Sequence, residues 1–188
     1  MLRIEKLTKE VLADNLRVLL DIEERIFEMA NGTYPILWTE KDFLRELPGK
    51  WTYSRVIVDD GAIKGFTTVS QKFTGDGEAF IHAHKIAVLA EIRTPNLILD
   101  VWNDTFNEAR GEGLRWFTAS IMDYAHPAML PWYLRVLGAN VLKPKEKIEY
   151  FFGKLPDGTA VTEDGWIEYP SGLRKHLILK DFRVDHSF

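Results

Sequence analysis

The sequence predicts a mixed α/β fold, a mostly antiparallel central sheet flanked by helices on both faces, with a C-terminal hairpin extension. Two observations carry this. Between Arg55 and Val88, three strand-like runs are separated by the turn signals Asp59-Asp60-Gly61 and Thr74-Gly75-Asp76-Gly77, which reads as an antiparallel meander. From Leu97 to Gly138 an amphipathic helix, an apolar strand and a short helix then alternate. A meander followed by crossover units requires a mixed sheet with helices packed on it.

Taken in order, Leu2–Leu7 alternates apolar and polar residues as a half-buried strand does. Val11, Leu12, Leu16, Leu19, Ile22, Ile26 and Phe27 then recur at steps of three and four, the spacing of an amphipathic helix. Asn31-Gly32 and Tyr34-Pro35 break it. Thr39 is an N-cap residue before Glu40 and Asp42, and Phe43, Leu44 and Leu47 give the following short helix an apolar side. The strands of the meander are Arg55–Val58, Ala62–Val69 and Ala79–Val88. Leu97, Ile98, Val101, Trp102, Thr105, Phe106 and Ala109 form a second long helix that Gly111 and Gly113 stop. Leu114–Ile121 is a strand, Pro131 suits the first turn of a helix closed by Gly138, and Ile148–Phe152 reads as another strand. After Leu155 the turn signals at Pro156-Asp157-Gly158, Asp164-Gly165 and Pro170-Ser171-Gly172 set up a hairpin in which Trp166–Tyr169 faces Leu173–Leu179.

With 188 residues, 46% of them hydrophobic, the chain has material for one well-buried core. The reading is residues 1–155 as the main body and 156–188 as a β extension of the same domain. A net charge of −4 offers no field for phosphate backbones or anionic lipid, so neither nucleic acid nor membrane is an expected partner. The absence of Cys excludes disulfides, zinc–thiolate sites and a cysteine nucleophile. No basic-then-apolar leader and no run of ~20 apolar residues is present, so the expected location is cytoplasmic.

The stretch Ile86-Ala87-Val88, then Arg93-Thr94-Pro95-Asn96, then Pro131-Trp132-Tyr133-Leu134-Arg135-Val136-Leu137-Gly138 resembles the cofactor-binding half of the GNAT-type N-acetyltransferases. The similarity of element order covers about residues 1–155. Leu20–Leu47, with Ile22-Glu23-Glu24, Tyr34-Pro35 and Trp38-Thr39-Glu40-Lys41-Asp42-Phe43, resembles the first two helices of that family's ribosomal-protein alanine acetyltransferase branch.

The resemblance implies roles for particular residues. The backbone edge at Ile86, Ala87 and Val88 would hydrogen-bond the pantetheine arm of acetyl-CoA. Arg93, Thr94, Asn96 and Leu97 fall on the loop and helix start where the family cradles the pyrophosphate on backbone N–H groups. The family's pattern has small residues where Asn96 and Ile98 stand, and Pro95 removes a donor, so this loop departs from the pattern. Thr94 can cap the helix, and an ordinary helix start is the rival reading. Tyr133 matches the tyrosine that protonates the departing CoA thiolate; taken alone, an aromatic in a short helix is a core residue. His82 occupies one of the family's positions for a general base, and an imidazole with a pKa of about 6.5 suits proton abstraction. His84, two residues on, shares its strand face, and a structural histidine pair is the alternative. Asp123 and His126 are second choices for the base.

The activity so implied is transfer of an acetyl group from acetyl-CoA, as cosubstrate, to a primary amine on a small molecule or protein by direct attack, with no acyl-enzyme. The alternative is a GNAT-fold binding or assembly protein without catalysis. Because a two-stranded hairpin is marginal alone, the apolar residues after Leu155 must cover either the chain's own sheet or a second copy, and a homodimer is the expectation.

Overall fold

The computed structural model describes residues 1–27 and 37–183, so the breaks read at Asn31-Gly32 and Tyr34-Pro35 lie outside the described residues. The chain divides into two compact units, Met1–Ser70 with His84–Glu108, and Gln71–Ala83 with Ala109–Phe188.

In the first unit, β1 (Arg3–Lys6) and α1 (Lys9–Phe27) are followed by α2 (Glu40–Leu44), a short α3 (Lys50–Tyr53) and β2 (Arg55–Asp59). Most of β3 (Ala62–Phe73), the second half of β4 (Ala79–Val88) and most of α4 (Pro95–Gly111) complete it. β1 pairs antiparallel with β2, Arg3 opposite Val58 through Lys6 opposite Arg55, and β2 pairs antiparallel with β3. Asp60 and Gly61 take φ of 47° and 82°, the left-handed pair a two-residue hairpin turn demands.

Alternation along β2 sends neighbouring side chains to opposite faces. Val56 and Val58 pack with Leu12, Leu19 and Ile22 of α1 and Phe43 of α2, whereas Ile57 packs with Leu97 and Val101 of α4. Helices therefore cover both faces of this sheet. At Gly65 a Cβ would fall 2.8 Å from the Ala87 carbonyl oxygen, so β3 meets β4 there at a distance only glycine allows.

The cap at α2 forms as its sequence requires, with the Thr39 N–H and hydroxyl both donating to the Asp42 carboxylate, at 2.9 and 2.8 Å. No sequence signal announced α3, whose Lys50 ammonium is buried and donates to the carbonyls of Phe43, in the last turn of α2, and Arg45, just past it. Burial pushes its pKa from 10.5 down to about 8. The folded state then binds fewer protons at this group than the unfolded chain between about pH 8 and 10.5. Stability relative to a Lys50→Gln variant is expected to rise with pH across that window, by at most about 1.4 kcal/mol per pH unit, and to stay flat below it. Urea melts of both proteins at several pH values measure the slope.

The second unit holds the first half of β4, then β5 (Trp116–Met122), α5 (Met129–Arg135), β6 (Asn140–Val141), α6 (Lys145–Phe152), β7 (Ala160–Val161), β8 (Trp166–Glu168) and β9 (Arg174–Asp181). Its strand order is β4-β5-β9-β8-β7, with β6 also on β9. The β4–β5 pair is parallel and runs over Ile81–Ala83, and the other pairs are antiparallel.

Ile148–Phe152, read above as a strand, is helical. Pro144 starts the helix, and Ile148 and Phe151, three residues apart, are buried on one side of it. Phe151 meets Phe80 at 5.2 Å and Trp116 at 5.3 Å between ring centroids, so tertiary packing overrides a β-prone local composition.

The hairpin expected after Leu155 is present, with Trp166 opposite His176 and Glu168 opposite Arg174. Its second strand also pairs with β5 along Trp116–Met122. Ile167, Leu177 and Ile178 are buried within the chain, whereas Trp166, Tyr169, Leu173 and Leu179 are half-buried. Among the described residues, no helix is long and apolar enough to cross a membrane.

Candidate functional site

The first unit carries His84, the Ile86–Val88 segment and the Arg93–Leu97 turn. β4 ends at Val88; the Arg93 N–H donates back to the Leu89 carbonyl at 3.1 Å, and α4 begins at Pro95. The free donors of that helix end can be followed one by one. Pro95 has none. The Leu97 N–H donates to Thr94 Oγ1 at 3.1 Å and the Ile98 N–H to the Thr94 carbonyl, also at 3.1 Å. Thr94 thus caps the helix, and the Asn96 N–H takes part in neither of these two bonds. Arg93 and Asn96 are exposed. The Leu97 side chain lies in the core with Ile57, Val88 and Val101, and Ile86 packs against the same cluster. Ala87 and Val88 are buried against this part of the sheet.

His84 is half-buried; its Nε2 hydrogen-bonds Ser70 Oγ at 2.7 Å, and its ring lies 6.2 Å from that of Trp38. On the adjacent residue, the Lys85 ammonium meets Glu23 Oε1 at 2.7 Å and sits over the Phe27 ring. Glu23 is 1% exposed and also accepts from the Trp38 N–H. Burial raises its pKa despite the pairing with Lys85.

The second unit carries His82 and Tyr133. His82 is buried, with Nδ1 2.8 Å from Thr118 Oγ1 on the parallel neighbour β5 and its ring edge-on to Phe152 at 5.6 Å. Tyr133 is buried on α5, edge-on to Trp132, and its carbonyl accepts from the Ala139 N–H beyond Gly138, whose φ of 68° closes the helix. The two histidines therefore have separate partners, Thr118 for His82 and Ser70 for His84. Among the described residues no group of three His, Cys, Asp or Glu is placed to hold a metal. His126 Nδ1 accepts from the Ala128 N–H at the entry to α5, and the Asp123 N–H donates to the Arg174 carbonyl.

Sequence reading did not single out Thr118, Ser70, Glu23 or Lys85 as partners of these groups. Thr118 is joined to His82, Ser70 to His84 and Glu23 to Lys85 by strand register or helix docking, at separations of 14 to 62 residues.

No protein-family model matches the chain, and no curated protein sequence matches it. Solved structures do. The ribosomal-protein-S18-alanine N-acetyltransferase from Escherichia coli superimposes with a TM-score of 0.59 at 15% identity, over 100% of this chain and 97% of that one. Arabidopsis thaliana NAA60, crystallised with a bisubstrate analogue, gives 0.62 at 13% identity over 96% and 98%. Arabidopsis thaliana Naa50, in complex with the bisubstrate analogue CoA-Ac-MVNAL, gives 0.57 at 9% identity over 96% and 99%. Identities this low show architecture alone, and from end to end the architecture of this chain is that of the GNAT-type N-acetyltransferases.

Proposed function

We propose that the chain is an acetyl-CoA-dependent N-acetyltransferase that acetylates a primary amine by direct attack on the thioester. The observation that carries this reading is Tyr133, buried in a short glycine-closed helix, in a chain whose fold matches acetyltransferases along nearly its whole length. Bound acetyl-CoA would supply the activated acetyl group. Arg93 and the Asn96 N–H would meet the pyrophosphate, and the backbone of Ile86–Val88 the pantetheine arm. This is a thinner phosphate cradle than a glycine-rich loop, because Pro95 gives no donor and Thr94 occupies another.

His82 takes the proton of the acceptor ammonium in this reading. The hydrogen bond between its Nδ1 and Thr118 Oγ1 fixes the ring orientation. Tyr133 donates its phenolic proton to the leaving thiolate. His84, tied to Ser70, is the second candidate for the base.

The sparse phosphate loop favours a second reading, a protein of this fold that has lost CoA chemistry and serves in binding or assembly. A thermal shift with acetyl-CoA separates the two. At a hundredfold excess over its dissociation constant, a ligand stabilises the folded state by roughly 2.7 kcal/mol, and a clear rise in melting temperature is expected. An unchanged melting temperature at millimolar acetyl-CoA supports the non-catalytic reading instead.

A further inference from the structure

In the first unit, β1 stands at one end of the strand order and, among the described residues, pairs with β2 alone. Along an antiparallel pair, every second residue turns its N–H and C=O toward the neighbouring strand and the residues between turn theirs away. The outer side of Arg3–Lys6 is thus a row of backbone donors and acceptors without a partner strand, a template for one more strand.

The side chains along this edge are open to solvent. Arg3, Glu5 and Lys6 are exposed, as is the apolar Leu2 just before the strand. Alternation puts Arg3 and Glu5 on one face and Ile4 and Lys6 on the other. On the first face Arg3 Nε lies 3.2 Å from Glu5 Oε1. On the second, Ile4 packs against the cluster of Ile57, Val88, Leu97 and Val101, and Lys6 meets Glu108 at 2.9 Å.

Charges on an edge strand ordinarily keep other strands away. The order Arg3-Ile4-Glu5 makes one pairing the exception. If two copies meet antiparallel about a twofold axis through Ile4, Ile4 faces Ile4, and Arg3 of each copy faces Glu5 of the other. Opposite charges directly across such a pair attract, and like charges repel. An axis through Arg3 sets Arg3 against Arg3, and an axis through Glu5 sets Glu5 against Glu5. A shift of one residue brings outward-facing groups opposite inward-facing ones, so it forms no ladder. Parallel pairing in register also opposes like charges. The sequence of the edge therefore favours a single, self-complementary arrangement.

We propose that the outer edge of β1 is a homodimer interface, two copies joined antiparallel about a twofold axis through Ile4. This is the symmetry in which one patch serves both partners. It uses β1 of the first unit rather than the C-terminal hairpin of the second, and it is independent of the acetyl-transfer reading. The strand is four residues long, so the contact belongs to the small, concentration-dependent class below about 1,200 Å².

Sedimentation velocity of the full chain from about 10 µM to about 1 mM provides the test. The mass is expected to rise with concentration from 21.7 kDa toward about twice that value. Arg3→Glu places Glu against Glu5 of the second copy and should weaken association by about tenfold or more. The double variant Arg3→Glu/Glu5→Arg exchanges the charges, restores the complementarity and should associate as the parent does. Both positions are exposed, and circular dichroism checks that each variant is folded. Amide exchange within residues 3–6 should slow as concentration rises in the parent and the double variant, but not in Arg3→Glu. The proposal is overturned if the parent stays monomeric over the whole range, or if Arg3→Glu associates as well as the parent. It is equally overturned if the double variant is as weak as the single one. A dimer that leaves exchange in residues 3–6 unchanged would place the contact elsewhere, the C-terminal hairpin included, and would also overturn it.

Discussion

Replacing Tyr133 with Phe is expected to lower kcat by about 10²–10⁴-fold while leaving acetyl-CoA affinity nearly unchanged. Only the hydroxyl is lost, and its assigned work falls in the leaving step. The ring, buried on α5 and edge-on to Trp132, keeps its packing in the variant. A cavity or an unfolding effect is therefore not the expected cause of any rate change. Steady-state kinetics with an amine found by screening, together with cofactor titration, make the comparison. A variant with normal kcat would return Tyr133 to a core-packing role.

Replacing Lys85 with Met is expected to destabilise the fold by about 3–5 kcal/mol, because it strands a buried carboxylate. Glu23 Oε1 accepts from Lys85 and from the Trp38 N–H, and its Oε2 is already a buried atom without a hydrogen-bond partner. For a chain of this size the melting temperature should fall by roughly 6–20 °C. The double variant Glu23→Gln/Lys85→Met should recover most of that loss, since it removes the charge along with its partner. Equal melting temperatures for the single variant and the parent would show that the pair contributes nothing.

Much of the fold is legible in the sequence because its signals are local. Steps of three and four from Val11 to Phe27 mark α1, and the Asp60-Gly61 turn fixes one hairpin. The Ala79–Val88 strand forms with the limits read from its pattern, and Thr94 caps α4. Residue types with one dominant conformational use, such as glycine at positive φ or threonine at a helix start, can be read without knowing what surrounds them.

The misreadings fall where surroundings decide. Ile148–Phe152 is rich in residues that suit a strand, and it became α6 because Pro144 begins a helix and Phe151 finds Phe80 and Trp116 on one side. The candidate site follows the same division. His82, His84 and Tyr133 were visible as chemical types at suggestive spacing, and the sequence alone also set the cysteine-free chemistry available to them.

Only tertiary structure decided that His82 is held by Thr118, that His84 is held by Ser70, and that Lys72 and Lys175, 103 positions apart, share the ring of Phe152. The physical reason is range. Propensity, capping and turn chemistry act over a few residues, whereas pairing across strands and burial of charge depend on which distant segments register, and that is settled by packing the whole chain.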